Sequence, residues 1–249
     1  IRPLTLFPAL ADRSPLRRER VEGVDLVFVR ELTGGIYFGE PRGRSEDGSR
    51  AFDSCVYTRV EVERVVRMAF DMAMARQRHL TVVDKANVLA TSRLWREVAK
   101  DMASEYQDVT LDFMFVDNAA MQLIQRPSFF DVVVTENMFG DILTDEASVI
   151  SGSLGLLPSA SIGGDVALFE PIHGSYPQAA GRNVANPMAM ILSAAMMLDH
   201  LGLREEAAKV RSAVSAAIEG GMVTEDLAEN GCARTTSQVG DFIASAIEK

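Results

Sequence analysis

Leu80-Thr81-Val82-Val83-Asp84-Lys85 is a short, almost continuously apolar run that stops at two charges. A strand buried on both faces reads this way, and the ligand crevice of an open α/β sheet lies beyond such strand ends. Three further runs have the same form, at residues 24–29, 111–116 and 131–135. Between and after them lie stretches of helical period at 60–78, 92–105, 118–125, 140–150, 187–201, 204–219 and 237–248. Thr58 and Glu61 form a capping-box pair at the start of the first, and Pro187 suits a first helical turn. This alternation predicts an α/β fold, a mixed and mostly parallel sheet flanked by helices. Two segments break the pattern. Residues 33–53, rich in Gly, Arg and acidic side chains, read as an excursion or arm. Residues 151–186 hold six glycines and three prolines and read as mostly irregular, as functional stretches often are. A boundary near residue 150 is expected, giving subdomains 1–150 and 151–249.

The composition narrows the function classes. The 249 residues carry 35 Asp+Glu against 25 Lys+Arg, a net charge of −10, and 47% are apolar. That much apolar surface excludes intrinsic disorder, and the acidic balance disfavours nucleic acid, whose phosphates need a dense basic face. The longest largely apolar run, residues 188–198, is too short to cross a bilayer. Cys55 and Cys232 make no disulfide scaffold and no zinc spacing. The chain begins Ile1-Arg2-Pro3, with neither a signal peptide nor an initiator Met. A cytoplasmic protein is expected, with this chain a fragment or processed product of it.

Four places could carry chemistry. Asp117 follows the run 111–116, and Asp141 and Asp145 lie four apart, on one face of a helix. This is either a hard-oxygen site for Mg²⁺ or Mn²⁺ or a solvated acidic helix face. Lys85 at a strand end could serve as a base with a lowered pKa, or could simply pair with Asp84. Arg30 closes a strand before Gly34-Gly35, and Arg30 and Arg2 could each grip a carboxylate; Tyr37 could donate or shuttle a proton, or be an amphipathic rim residue. The loop Glu170-Pro171-Ile172-His173-Gly174-Ser175-Tyr176-Pro177 could present N–H groups to a phosphate, or be ordinary surface. No GxGxxG fingerprint occurs.

Taken in order, these segments resemble the β-decarboxylating dehydrogenases of 3-isopropylmalate and isocitrate. Arg30-Glu31-Leu32-Thr33-Gly34-Gly35-Ile36-Tyr37-Phe38-Gly39 is similar to the 3-isopropylmalate branch. Val83-Asp84-Lys85-Ala86-Asn87-Val88-Leu89, Val116-Asp117-Asn118-Ala119-Ala120-Met121, Asn137-Met138-Phe139-Gly140-Asp141-Ile142-Leu143 and Gly152-Ser153-Leu154-Gly155-Leu156-Leu157-Pro158 carry the likeness end to end. The resemblance implies oxidation of a malate hydroxyl by NAD, then loss of a carboxylate as CO₂, in leucine biosynthesis. It implies Arg2, Arg30, Tyr37 and Asp117 around a 2-hydroxy dicarboxylate, Lys85 as base, Tyr37 as acid, and Asp117, Asp141 and Asp145 around Mg²⁺ or Mn²⁺. Glu170, His173, Gly174, Ser175, Gln178 and Asn186 would hold the cofactor's adenosine half. It further implies a homodimer with shared sites, Lys85 and Asp117 reaching into the neighbour's.

Two departures bear on this. Gln178 stands where the family carries a carboxylate for the ribose hydroxyls; no cation adjoins it, which favours NAD, and Arg182 four positions on keeps NADP open. Family members also carry a substantial stretch before the position of Ile1, with a further arginine and the apolar substrate pocket. The chain alone is therefore expected not to turn over substrate. The alternatives are a sister enzyme for tartrate, D-malate or isocitrate, and a non-catalytic dimerising, metal-binding fragment.

Overall fold

The computed structural model describes residues 1–228 and 231–248. The chain divides into two compact units, one of residues 23–147 and one of residues 1–22 with 148–249. The internal division falls close to residue 150, but the first 22 residues group with the C-terminal unit.

Strand β1 (Arg2–Thr5) and the single turn α1 (Arg18–Val21) open the chain in that second unit. The unit of residues 23–147 then runs β2 (Asp25–Arg30), β3 (Gly43–Arg44), β4 (Ala51–Phe52), α2 (Arg59–Met74), β5 (His79–Asp84), α3 (Ala90–Ala103), β6 (Thr110–Phe115), α4 (Val116–Gln125), β7 (Val132–Thr135) and α5 (Asn137–Ser148), whose last residue passes into the other unit. Within it the strands lie in the order β2-β7-β5-β6, and each neighbouring pair is parallel. The register sets Val27 beside Val132, Leu80 beside Val132 and Leu80 beside Leu111. Helix α2 lays Val62, Val66, Ala69, Phe70 and Ala73 over Val29, Val82, Val132 and Val134, with Trp95, Val98 and Ala99 of α3 completing the core. A helical face repeating every three to four residues meets strands apolar on both sides, as the sequence predicts. The residue 33–53 excursion contains the exposed antiparallel ribbon β3–β4.

In the other unit, β8 (Pro158–Ile162) and β9 (Ala167–Pro171) pair antiparallel, followed by α6 (Met188–His200), α7 (Arg204–Glu219) and α8 (Thr236–Ile247). Residues 151–186 thus contain a hairpin where an irregular stretch is expected. Pro158 and Pro171 oppose each other at the hairpin's end and two glycines sit in its turn, which hides the strand alternation. Ile1 bonds Ala160 on β8 through both its backbone N and O. Met188, Leu192, Val214, Ile218, Val239 and Ile243 form this unit's core with Leu10 from the opening segment. No helix among the described residues is long and apolar enough to cross a membrane.

Candidate active site

Six of the residues singled out above, Arg30, Tyr37, Lys85, Asp117, Asp141 and Asp145, lie at or after the C-terminal ends of the parallel strands. Arg30 ends β2 with its side chain 9% exposed, and its Nη1 donates to Asp141 Oδ1 at 2.5 Å. The other oxygen of Asp141 accepts from the Tyr37 hydroxyl at 3.0 Å, so one carboxylate holds both side chains. The Arg30 guanidinium also lies 5.7 Å from the centre of the Tyr37 ring. The bond donated to Asp141, then burial and that carboxylate's charge, raise the pKa of Tyr37 above the ordinary phenol value. Gly140 makes the approach possible: a Cβ there would lie 2.6 Å from Arg30 Cγ. Asp145 sits one turn further along α5, on the same helical face.

Lys85 and Asp117 form a second group. Lys85 follows β5 directly, and Nζ lies 2.5 Å from Asp117 Oδ1 in the first turn of α4. The hydrogen bond from Lys85 holds the Asp117 carboxyl below the usual range. The turn carrying Lys85 is fixed from beneath. The buried Asp84 carboxylate accepts from Arg96 Nε at 2.5 Å and Nη2 at 3.1 Å and from the Ala86 amide at 2.9 Å, while Ser92 Oγ accepts the Lys85 amide at 3.0 Å. No hydrogen bond or ion pair joins the Arg30–Tyr37–Asp141 group to the Lys85–Asp117 pair among the described residues. Nor, among the described residues, do three His, Cys, Asp or Glu side chains gather as a metal-holding set.

Arg2 lies on β1, in the other unit, half-buried. The same unit carries the residues expected to meet a cofactor. Glu170 lies on β9 opposite Ser159, and His173, Gly174, Ser175 and Gln178 follow on an exposed loop. His173 Nδ1 lies 3.0 Å from the Gly174 carbonyl. Asn186 is held more firmly. Its Oδ1 accepts the Met188 amide at 2.9 Å at the start of α6, and its Nδ2 donates to Asp226 at 3.0 Å. Asp226 also accepts from Ser153 Oγ at 2.6 Å and Thr224 Oγ1 at 2.5 Å. No hydrogen bond links Asn186 to the 170–178 loop among the described residues. Sequence reading offered Asp84 only as a partner for Lys85, whereas it pairs with Arg96 and Lys85 pairs with Asp117; Asp226 and the polar pair Glu136-Asn137 behind Arg30 were missed. The one signal for that pair is two polar residues directly after the strand Val132-Val133-Val134-Thr135.

The family model for isocitrate/isopropylmalate dehydrogenase matches residues 1–243. This chain belongs to that family. A 3-isopropylmalate dehydrogenase from Bacteroides fragilis is 55% identical over 250 residues, covering 100% of this chain and 70% of the relative. One from Priestia megaterium is 53% identical over 251 residues, with 99% and 68% covered. Among solved structures, the isocitrate dehydrogenase of Methylococcus capsulatus superposes with a TM-score of 0.88 at 40% identity, covering 100% of this chain and 72% of its own. The isocitrate/isopropylmalate dehydrogenase family model thus accounts for all but the last few residues, and the α/β fold with its mostly parallel sheet is the family's.

Proposed function

We propose that this chain supplies catalytic residues for the NAD-linked, Mg²⁺- or Mn²⁺-dependent oxidative decarboxylation of 3-isopropylmalate, a step of leucine biosynthesis, in a site shared with a second copy of itself. One observation carries the reading: an arginine, a phenol and an aspartate converge at the end of β2. They do so in a chain matched along its length by 3-isopropylmalate dehydrogenases at 52–57% identity.

The donor set fits a hard divalent cation, because Asp117, Asp141 and Asp145 offer only carboxylate oxygens. When bound, such an ion polarises the substrate oxygen that passes from hydroxyl to carbonyl and stabilises the enolate that follows. The chain's own residues do the rest. Arg30 holds the carboxylate remote from the hydroxyl. Lys85 takes the hydroxyl proton, with Asp117 beside it holding the side chain in place. Tyr37, whose raised pKa keeps it protonated, returns a proton to the enolate carbon after CO₂ leaves. Glu170 on β9 and the exposed loop residues His173, Gly174, Ser175 and Gln178 that follow it, together with Asn186, fit the adenosine half of NAD, with the Gln178 amide meeting ribose hydroxyls.

Two features support a homodimer. Lys85–Asp117 and Arg30–Tyr37–Asp141 are separate groups, each half of the expected constellation. Met121 and Ile124 on α4 and Ile142 on α5 are 41–57% exposed, an apolar surface suited to a partner. The test compares NADH production from 3-isopropylmalate, D-malate, tartrate and isocitrate with Mn²⁺ present. Fastest turnover of 3-isopropylmalate is expected; equal or faster turnover of malate would overturn the substrate assignment.

A further inference from the structure

We infer that Asn137 is a positioning residue that decides which edge of the Arg30 guanidinium is offered to substrate; this rests on the reading of Arg30 as a carboxylate holder. Asn137 is 1% exposed, at the first position of α5. Its Oδ1 accepts from Arg30 Nε at 3.1 Å and Nη2 at 2.8 Å, gripping one side of the guanidinium. Its Nδ2 donates to the Gly34 carbonyl at 3.1 Å, and its backbone N–H donates to the Tyr57 hydroxyl at 2.9 Å. Tyr57 in turn donates to Glu136 Oε2 at 3.2 Å, and Glu136 Oε1 accepts the Phe139 amide at 2.9 Å. The amide is thus fixed by both of its ends, at the strand end, in the glycine turn and on the helix.

An arginine has five N–H donors in a rigid plane. Asn137 takes the Nε side and Asp141 takes one N–H of Nη1, leaving one N–H on each terminal nitrogen without a partner among the described residues. Free arginine side chains rotate among rotamers; this one is pinned with part of its terminal edge open. A carboxylate meeting a pre-oriented guanidinium loses less in ordering than one meeting a mobile side chain. Asn137 would therefore act on affinity for the remote carboxylate without touching it.

The experiment uses the Mn²⁺-loaded protein without NAD, so that binding is read without turnover. Calorimetry compares 3-isopropylmalate with 2-hydroxy-4-methylpentanoate, the same skeleton with hydrogen in place of the remote carboxylate. Asn137→Ala should reduce the preference for the dicarboxylate by about 10- to 100-fold, the range for a hydrogen bond to a charged group, while the monocarboxylate's affinity stays near wild type. Asn137→Asp keeps an oxygen acceptor against Arg30 in the same volume and should restore most of the preference. A merely structural role predicts equal loss for both ligands in either variant. A wild-type preference in Asn137→Ala, or a loss in Asn137→Asp as deep as in Asn137→Ala, overturns the inference. If Asn137→Ala does not fold, Asn137→Asp decides alone against Arg30→Lys: a preference as low as in Arg30→Lys overturns it, and a retained one supports it. Should Arg30→Lys itself leave the preference unchanged, the assignment of Arg30 falls instead.

Discussion

Tyr37 and Arg30 share one carboxylate, each on its own oxygen, and that sharing makes Asp141 the residue whose loss is most readable. The pKa of Tyr37 is raised chiefly because its hydroxyl donates to an ionised acceptor, which the phenolate could not do. Asp141→Asn replaces that acceptor with a neutral amide, so the Tyr37 pKa should fall toward the ordinary value near 10. The tyrosinate absorbance titration, corrected with Tyr37→Phe, measures this; an unmoved curve would remove Asp141 as the cause. In the proposed reaction, Tyr37→Phe should slow conversion of the isolated keto-acid intermediate more than it slows oxidation. Lys85→Met should lower the hydride-transfer rate by a factor of about 10²–10⁴, the usual worth of a positioned base, with Mn²⁺ binding retained. Near-normal NADH formation in Lys85→Met would exclude it as the base.

Helix α2 shows how local chemistry sets an element and its pH response. Thr58 Oγ1 accepts the Glu61 amide at 3.3 Å and Glu61 Oε2 accepts the Thr58 amide at 2.7 Å, the reciprocal pair legible in the sequence. The bond from the Thr58 amide, then that from its hydroxyl, lowers the Glu61 pKa. A carboxyl depressed on folding contributes stability above its unfolded pKa and loses it as pH falls through the lower folded value. Thr58→Ala should therefore cost about 1 kcal/mol at neutral pH, with the gap from wild type narrowing in acid. Urea unfolding at both pH values checks this; a pH-independent gap would contradict it. The helix's other end was not legible. It stops at Met74 rather than near Arg78, because Arg78 takes φ 60° and its amide turns back to the Ala73 carbonyl. Arginine gives no warning of a left-handed residue as glycine would. The four parallel strands, by contrast, lie within one residue of expectation, since burial on both faces leaves an unbroken apolar run. Arg30, Lys85 and Asp117 stand out as polar punctuation at strand ends, and Tyr37 as the phenol after the glycine turn. Asn137, Asp84 and Asp226 do not, because their roles exist only in what they touch across the chain.

For the molecule as a whole, the consequential fact is that both halves of the proposed site belong to the unit of residues 23–147, yet share no hydrogen bond or ion pair among the described residues. A two-fold dimer resolves this if each copy lends its Lys85–Asp117 pair to the Arg30–Tyr37–Asp141 group of the other. That arrangement has a consequence that a site built within one chain lacks. Lys85→Met and Asp141→Asn homodimers would each have two defective sites. A mixed dimer would place both defects in one site and leave the other intact. Random reassortment makes half the dimers mixed, so activity should recover to about a quarter of wild type, a ratio that follows from two-fold symmetry alone. Co-expressing the two variants, with NADH formation measured per dimer, reads this directly. A mixture no more active than its parents would place Lys85 and Asp141 in the same chain's site.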